Sequence, residues 1–119
     1  MTSLSILLVD DDENLVRVLR RILVRGGHDV ITSTTSTAAL VELDRRSIPF
    51  DLLITDFNLG STTCHALLDE TRRRSPSTRL MVLTADLALR FVAGDVEVRS
   101  KPIGAQPLLE AILATTGAR

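Results

Sequence analysis

The chain has 119 residues, 45% of them hydrophobic, with a formal net charge of −1 and a single cysteine. That length fits one domain around one hydrophobic core, the charge announces no basic face for nucleic acid or an anionic membrane, and the lack of Trp and Tyr argues against base stacking. No apolar stretch reaches a membrane span, Met1-Thr2-Ser3 carries no signal-peptide pattern, and the lone Cys64 has no disulfide partner, which points to the cytoplasm.

The first element is Ile6-Leu7-Leu8-Val9, an apolar run typical of a strand buried on both faces. Asp10-Asp11-Asp12-Glu13 follow at once. Stacked carboxylates at the end of a core strand repel one another and are costly to desolvate. A hard divalent cation with oxygen ligands, Mg²⁺ above all, is therefore expected there. Leu15, Leu19, Ile22 and Leu23 then recur at helical spacing until Gly26-Gly27. Asp12 and Glu13 read as first-turn acids that complement this helix's dipole. Asp29–Thr34 is a second strand, and Ala38, Ala39, Leu40, Val41 and Leu43 a second helix capped by Thr35 or Ser36.

Ser47-Ile48-Pro49 breaks that helix before Leu52-Leu53-Ile54, a third strand that also leads to an acid, Asp56. Cys64–Arg74 is predicted as a third helix, buried through Ala66, Leu67 and Leu68, and Leu80–Leu83 as a fourth strand. Asp86–Ala93 leaves room only for a short helix, closed by Gly94. Val96-Glu97-Val98 alternates as an edge strand does, and Leu108, Leu109, Ile112 and Leu113 define a last helix with Pro107 in its first turn. The alternation implies one α/β domain over residues 1–119, a parallel sheet with helices on both faces. His28 and His65 read as surface residues, Cys64 as a small helix-start residue, and Arg72-Arg73-Arg74 as a solvated helix end.

Ligands of such a sheet sit beyond the carboxyl ends of its strands. Asp10, Asp11, Asp56, Thr84 and Lys101 all fall there, and their chemistry fits together. Asp56 can act as a carboxylate nucleophile toward a phosphoryl group, while Asp11, with Asp10 behind it, can hold Mg²⁺. Thr84 and Lys101 can each pair with a phosphoryl oxygen. A cis Lys101–Pro102 bond is expected in so tight a loop.

Leu8-Val9-Asp10-Asp11, Asp56 after Leu52-Leu53-Ile54-Thr55, Thr84-Ala85 and Lys101-Pro102, in that order, resemble the receiver domain of bacterial two-component response regulators. The resemblance runs from Ser5 to about Ala114 and implies a doubly wound, flavodoxin-like sheet of order 2-1-3-4-5. It implies that Asp56 is the phosphoacceptor, supplied by a sensor histidine kinase or a histidine phosphotransfer protein. It implies Mg²⁺ ligation by Asp11, Asp56 and the backbone carbonyl of Asn58, with Asp10 acting through water. Asn58 and Asp86 match positions that influence phosphoaspartate hydrolysis in the family, so a short-lived signal is expected.

The chain departs from the family on its output side. Val98 stands where an aromatic residue usually follows the movement of the threonine, and only 17 residues separate Thr84 from Lys101, which predicts a shortened fourth helix. Phe91 offers a ring nearby. Gly60 replaces a frequent proline and Cys64 a frequent glycine, so an altered loop after Asp56 is expected. With no output region after the last helix, the chain is expected to signal by contact with a downstream protein, unless it was cut from a longer regulator. It is expected to be a switch rather than a metabolic enzyme, binding neither nucleic acid nor membrane. Two alternatives stay open: a receiver-shaped interaction module that has lost or rerouted switching, and a haloacid-dehalogenase-type phosphatase. The latter needs further acids after the lysine, where only Glu110 is present.

Overall fold

A computed structural model describes residues 3–86 and 94–117. Within them the chain runs β1 (Ser5–Val9), α1 (Glu13–Arg25), β2 (Asp29–Ser33), α2 (Ser36–Arg45), β3 (Leu52–Asp56), β4 (Asn58–Leu59), β5 (Thr62–Thr63), α3 (His65–Arg74), β6 (Arg79–Thr84), β7 (Val96–Ser100) and α4 (Ala105–Thr116). The five long strands form one parallel sheet in the order β2-β1-β3-β6-β7. Apart from the small β4–β5 ribbon, this is the expected 2-1-3-4-5 order. The short helix predicted over Asp86–Ala93, and Phe91 with it, lies outside the described residues apart from Asp86.

The sheet is apolar because helices cover both faces. Ile6, Leu8, Leu52, Ile54, Met81 and Leu83 pack with Val16, Leu19 and Leu23 of α1 and Leu108 and Ile112 of α4. Leu7, Val9, Leu53, Leu80 and Val82 face the other way, against Ala39 and Leu43 of α2 and Leu67 and Leu68 of α3. Adjacent residues thus serve opposite cores, as a period of two requires.

Local chemistry sets the ends of the helices. The Asp12 side chain accepts the N–H groups of Asn14 and Leu15, so it caps α1 while Glu13 occupies the first turn. Thr35, rather than Ser36, caps α2 through the N–H of Ala38. Pro107 is accommodated in the first turn of α4.

Two sequence expectations are corrected. Ala66 is exposed; the buried face of α3 is Leu67, Leu68 and Thr71, one helical turn that leaves residue 66 on the solvent side. His28 is buried rather than on the surface: its Nδ1 accepts the N–H of Leu4 at 3.1 Å, where the chain enters β1.

Register brings the strand ends level. Val9, Thr55, Val82 and Val98 are successive neighbours in one row of the sheet. Asp10 and Asp56 stand one residue beyond that row on adjacent strands, and Thr84 pairs with Ser100 just before Lys101.

Candidate functional site

The acids and the lysine predicted to work together do meet. Asp10, only 2% exposed, places Oδ2 2.9 Å from Lys101 Nζ, and its Oδ1 accepts the N–H of Asp12 at 3.0 Å. The same Nζ lies 3.1 Å from Asp56 Oδ1, so one ammonium bridges two carboxylates from neighbouring strands. Asp10, Asp11 and Asp56 each present an oxygen within 4.8 Å of the others. An all-oxygen set of this charge suits a hard divalent cation.

Burial raises the Asp56 pKa above the ordinary carboxylate value; the Lys101 contact opposes that shift, and the charge of Asp10 adds to it. Burial alone would lower the Lys101 pKa, but Asp10 and Asp56 outweigh it and raise the value. The ammonium is therefore retained beside the acids.

Thr84 is buried at the end of β6, where its carbonyl accepts the N–H of Lys101 at 2.9 Å. Its Oγ1 accepts the N–H of Asp86 at 3.1 Å. This threonine thus touches the loops that carry Lys101 and Asp86. The Lys101–Pro102 bond is cis, as expected.

Asn58 and Asp86 are exposed, each two residues past its strand-end partner, and Val98 is half-buried in β7. The altered loop after Asp56 is a hairpin that the sequence reading did not foresee. Leu59 pairs with Thr62 across Gly60-Ser61, and Gly60 has φ +69, the left-handed backbone a two-residue turn of this kind needs. The Gly60 N–H donates to Asp11 Oδ2 at 3.0 Å, tying the hairpin to the acid cluster. The paired Gly-Ser and Thr-Thr steps are the signal that could have found it.

Cys64 is fully buried at the start of α3, and burial pushes its thiol up to about 11, which makes it a poor nucleophile. His65 is exposed and packs edge-on against Phe57. Glu110 lies exposed in α4, outside the acid group. Among the described residues no helix is long and apolar enough to cross a membrane.

The sequence profile of the response regulator receiver domain matches residues 6–113. Over 113 residues the chain is 33% identical to the response regulator protein FleR of Pseudomonas aeruginosa, covering 91% of this chain and 24% of FleR. It is 29% identical over 112 residues to the transcriptional regulatory protein GlrR of Escherichia coli, covering 90% of this chain and 25% of that protein. The chain spans about a quarter of the length of these curated relatives. A response regulator receiver domain protein from Clostridium thermocellum superposes with a TM-score of 0.85 at 26% identity, over 96% of this chain and 94% of that one. The signal receiver domain of an HD domain-containing protein from Pseudomonas fluorescens Pf-5 gives 0.82 at 29% identity, over 98% and 90%.

Proposed function

The chain belongs to the response regulator receiver domain family, phosphoacceptors of two-component signalling, and from that premise we propose that Asp56 is its phosphoacceptor. The observation that carries this reading is the cluster of Asp10, Asp11 and Asp56, with Lys101 bridging two of its members. The donor is a phosphohistidine on a sensor kinase or a phosphotransfer protein. An Asp56 carboxylate oxygen attacks phosphorus, the P–N bond breaks, and the imidazole keeps the bonding pair. Lys101 and the Thr84 hydroxyl pair with phosphoryl oxygens once they arrive.

Asp11, Asp56 and the backbone carbonyl of Asn58 would hold Mg²⁺, with Asp10 acting through water. When bound, the ion neutralises charge between phosphate and carboxylates and favours in-line transfer. Asn58 and Asp86 help to orient the water that later hydrolyses the acyl phosphate. Residues 1–119 act as one receiver domain, a switch that assists its own phosphorylation and hydrolysis without being a metabolic enzyme. It works in the cytoplasm and signals by contact with a downstream protein, without itself binding DNA or membrane.

Acetyl phosphate with Mg²⁺, read by intact mass spectrometry, tests this reading. One added phosphoryl group is expected, absent from Asp56→Asn and from a chelated sample. Failure to take up either a phosphoryl group or beryllofluoride would leave an interaction module as the better account.

A further inference from the structure

Two adjoining cavities lie at the amino-terminal ends of β6 and β7, a strand's length of about 16 Å from Thr84 at the other end of β6. The larger, about 520 Å³, is walled by Arg72, Pro76, Ser77, Arg79 and Leu80, and has the size of a small-molecule site. The smaller, about 300 Å³, reaches Val96, Glu97 and Thr115, and Arg79 and Asp95 border both. Neither takes part in the phosphoryl chemistry.

Polar groups around these cavities divide into donors and acceptors. Arg79 is exposed, and its guanidinium has no hydrogen bond or ion pair among the described residues. Arg45, Arg72, Arg73, Arg74 and Arg99, by contrast, all meet acids. Ser77 is exposed too, with its N–H and hydroxyl unpaired among the described residues. On the acceptor side, both oxygens of Asp95 hold the Arg72 fork, at 2.8 and 2.9 Å, and Glu97 pairs with Arg99. These carboxylates keep lone pairs for further donors, but their charge is already met. Arg79 supplies the uncompensated charge.

A buried network fixes the wall between α3 and β6. The Ser75 and Thr78 hydroxyls lie 2.6 Å apart, and Thr78 Oγ1 donates to the Phe50 carbonyl at 2.7 Å. The Ser75 N–H donates to the Thr71 carbonyl at 2.8 Å and the Arg79 N–H to the Asp51 carbonyl at 3.0 Å. Ser77 and the stem of Arg79 are thus held before any ligand arrives, which lowers the ordering cost of binding. At the smaller cavity, Thr115 Oγ1 is shielded from solvent and has no hydrogen-bond partner, a state that buried hydroxyls rarely keep.

We propose that the two cavities together bind a small phosphorylated polyol, a sugar phosphate or glycerol phosphate. The phosphate sits on the Arg79 guanidinium and on the Ser77 N–H and hydroxyl, donors that suit its oxygens. The polyol hydroxyls donate to the spare lone pairs of Asp95 and Glu97 and give Thr115 a partner, while Pro76, Leu80 and Val96 take the carbon skeleton. An ammonium in place of those hydroxyls gains less, because both acids are already paired. A nucleotide base finds no aromatic ring among the lining residues. The inference stands apart from the phosphorylation of Asp56.

The test titrates isotope-labelled protein with glucose-6-phosphate and, in parallel, glycerol phosphate, with chelator present, followed by NMR. Amide shifts should map to residues 77–80, 94–97 and 114–115 with one or both. Inorganic phosphate should move only residues 77–80 and bind about tenfold or more weakly. Arg79→Gln should weaken all three about tenfold or more. Thr115→Val should weaken the polyol phosphates several-fold and leave inorganic phosphate unchanged. Both variants should otherwise keep the wild-type spectrum, which separates lost binding from a lost fold. No shifts at the cavities, equal binding by either variant, or polyol phosphates no tighter than inorganic phosphate or phosphoethanolamine would overturn the proposal.

Discussion

Lys101 Nζ stands 2.9 Å from Oδ2 of Asp10, a carboxylate that is almost wholly buried. The pair joins the end of β1 to the loop after β7, at opposite ends of the sequence.

Removing the ammonium would leave Asp10 and Asp56 facing each other without a cation. Lys101→Met is therefore expected to lower stability by about 2–4 kcal/mol, toward the lower part of the range for a broken buried pair because the lysine is partly exposed. Urea denaturation measures this, and added Mg²⁺ should restore part of the loss. A variant as stable as the wild type without Mg²⁺ would contradict the pairing.

Asp11 has two separable attachments. Asp11→Asn keeps an acceptor for the Gly60 N–H but loses the charge, whereas Asp11→Ala loses both. Both should weaken Mg²⁺ binding by about tenfold or more, seen as a smaller Mg²⁺-dependent rise in Tm. Only Asp11→Ala should also speed hydrogen exchange at the Gly60 amide.

The buried His28 gives a pH dependence. Burial favours the neutral ring and lowers its pKa below the ordinary 6.5, so the unfolded chain binds more protons in that range. The resulting stability is complete above pH 6.5 and is lost as pH falls through the folded-state value. His28→Asn, which offers an oxygen to the Leu4 N–H, should flatten this slope in urea titrations. His28→Leu should also cost about 1–3 kcal/mol at neutral pH, because it leaves that buried N–H without an acceptor.

Phosphoryl lifetime tests the two exposed polar residues beside the site. Asn58→Ala with Asp86→Ala should slow dephosphorylation several-fold, followed as loss of the added mass after the donor is removed. An unchanged rate would remove both from the hydrolysis step.

The strands and the meeting of Asp10, Asp11, Asp56 and Lys101 were legible because apolar runs that end in charge mark both burial and position, whereas the strand order came from the resemblance to receiver domains. His28 was missed because an isolated histidine beside two glycines shows no periodicity, and its acceptor role depends on Leu4, 24 residues away. Ala66 was misplaced because alanine is equally at home on either face of a helix. The Gly60–Asp11 bond uses a backbone N–H, which no residue type reveals.

The most direct test of Asp56 as phosphoacceptor is chemical trapping. Acetyl phosphate-treated protein would be reduced with borohydride, which converts an acyl phosphate to an alcohol, and the peptides then sequenced by mass spectrometry. Homoserine at position 56, dependent on Mg²⁺ and found at no other aspartate, is the predicted result. Homoserine at Asp10, Asp11 or another carboxylate, with Asp56 intact, would contradict the account.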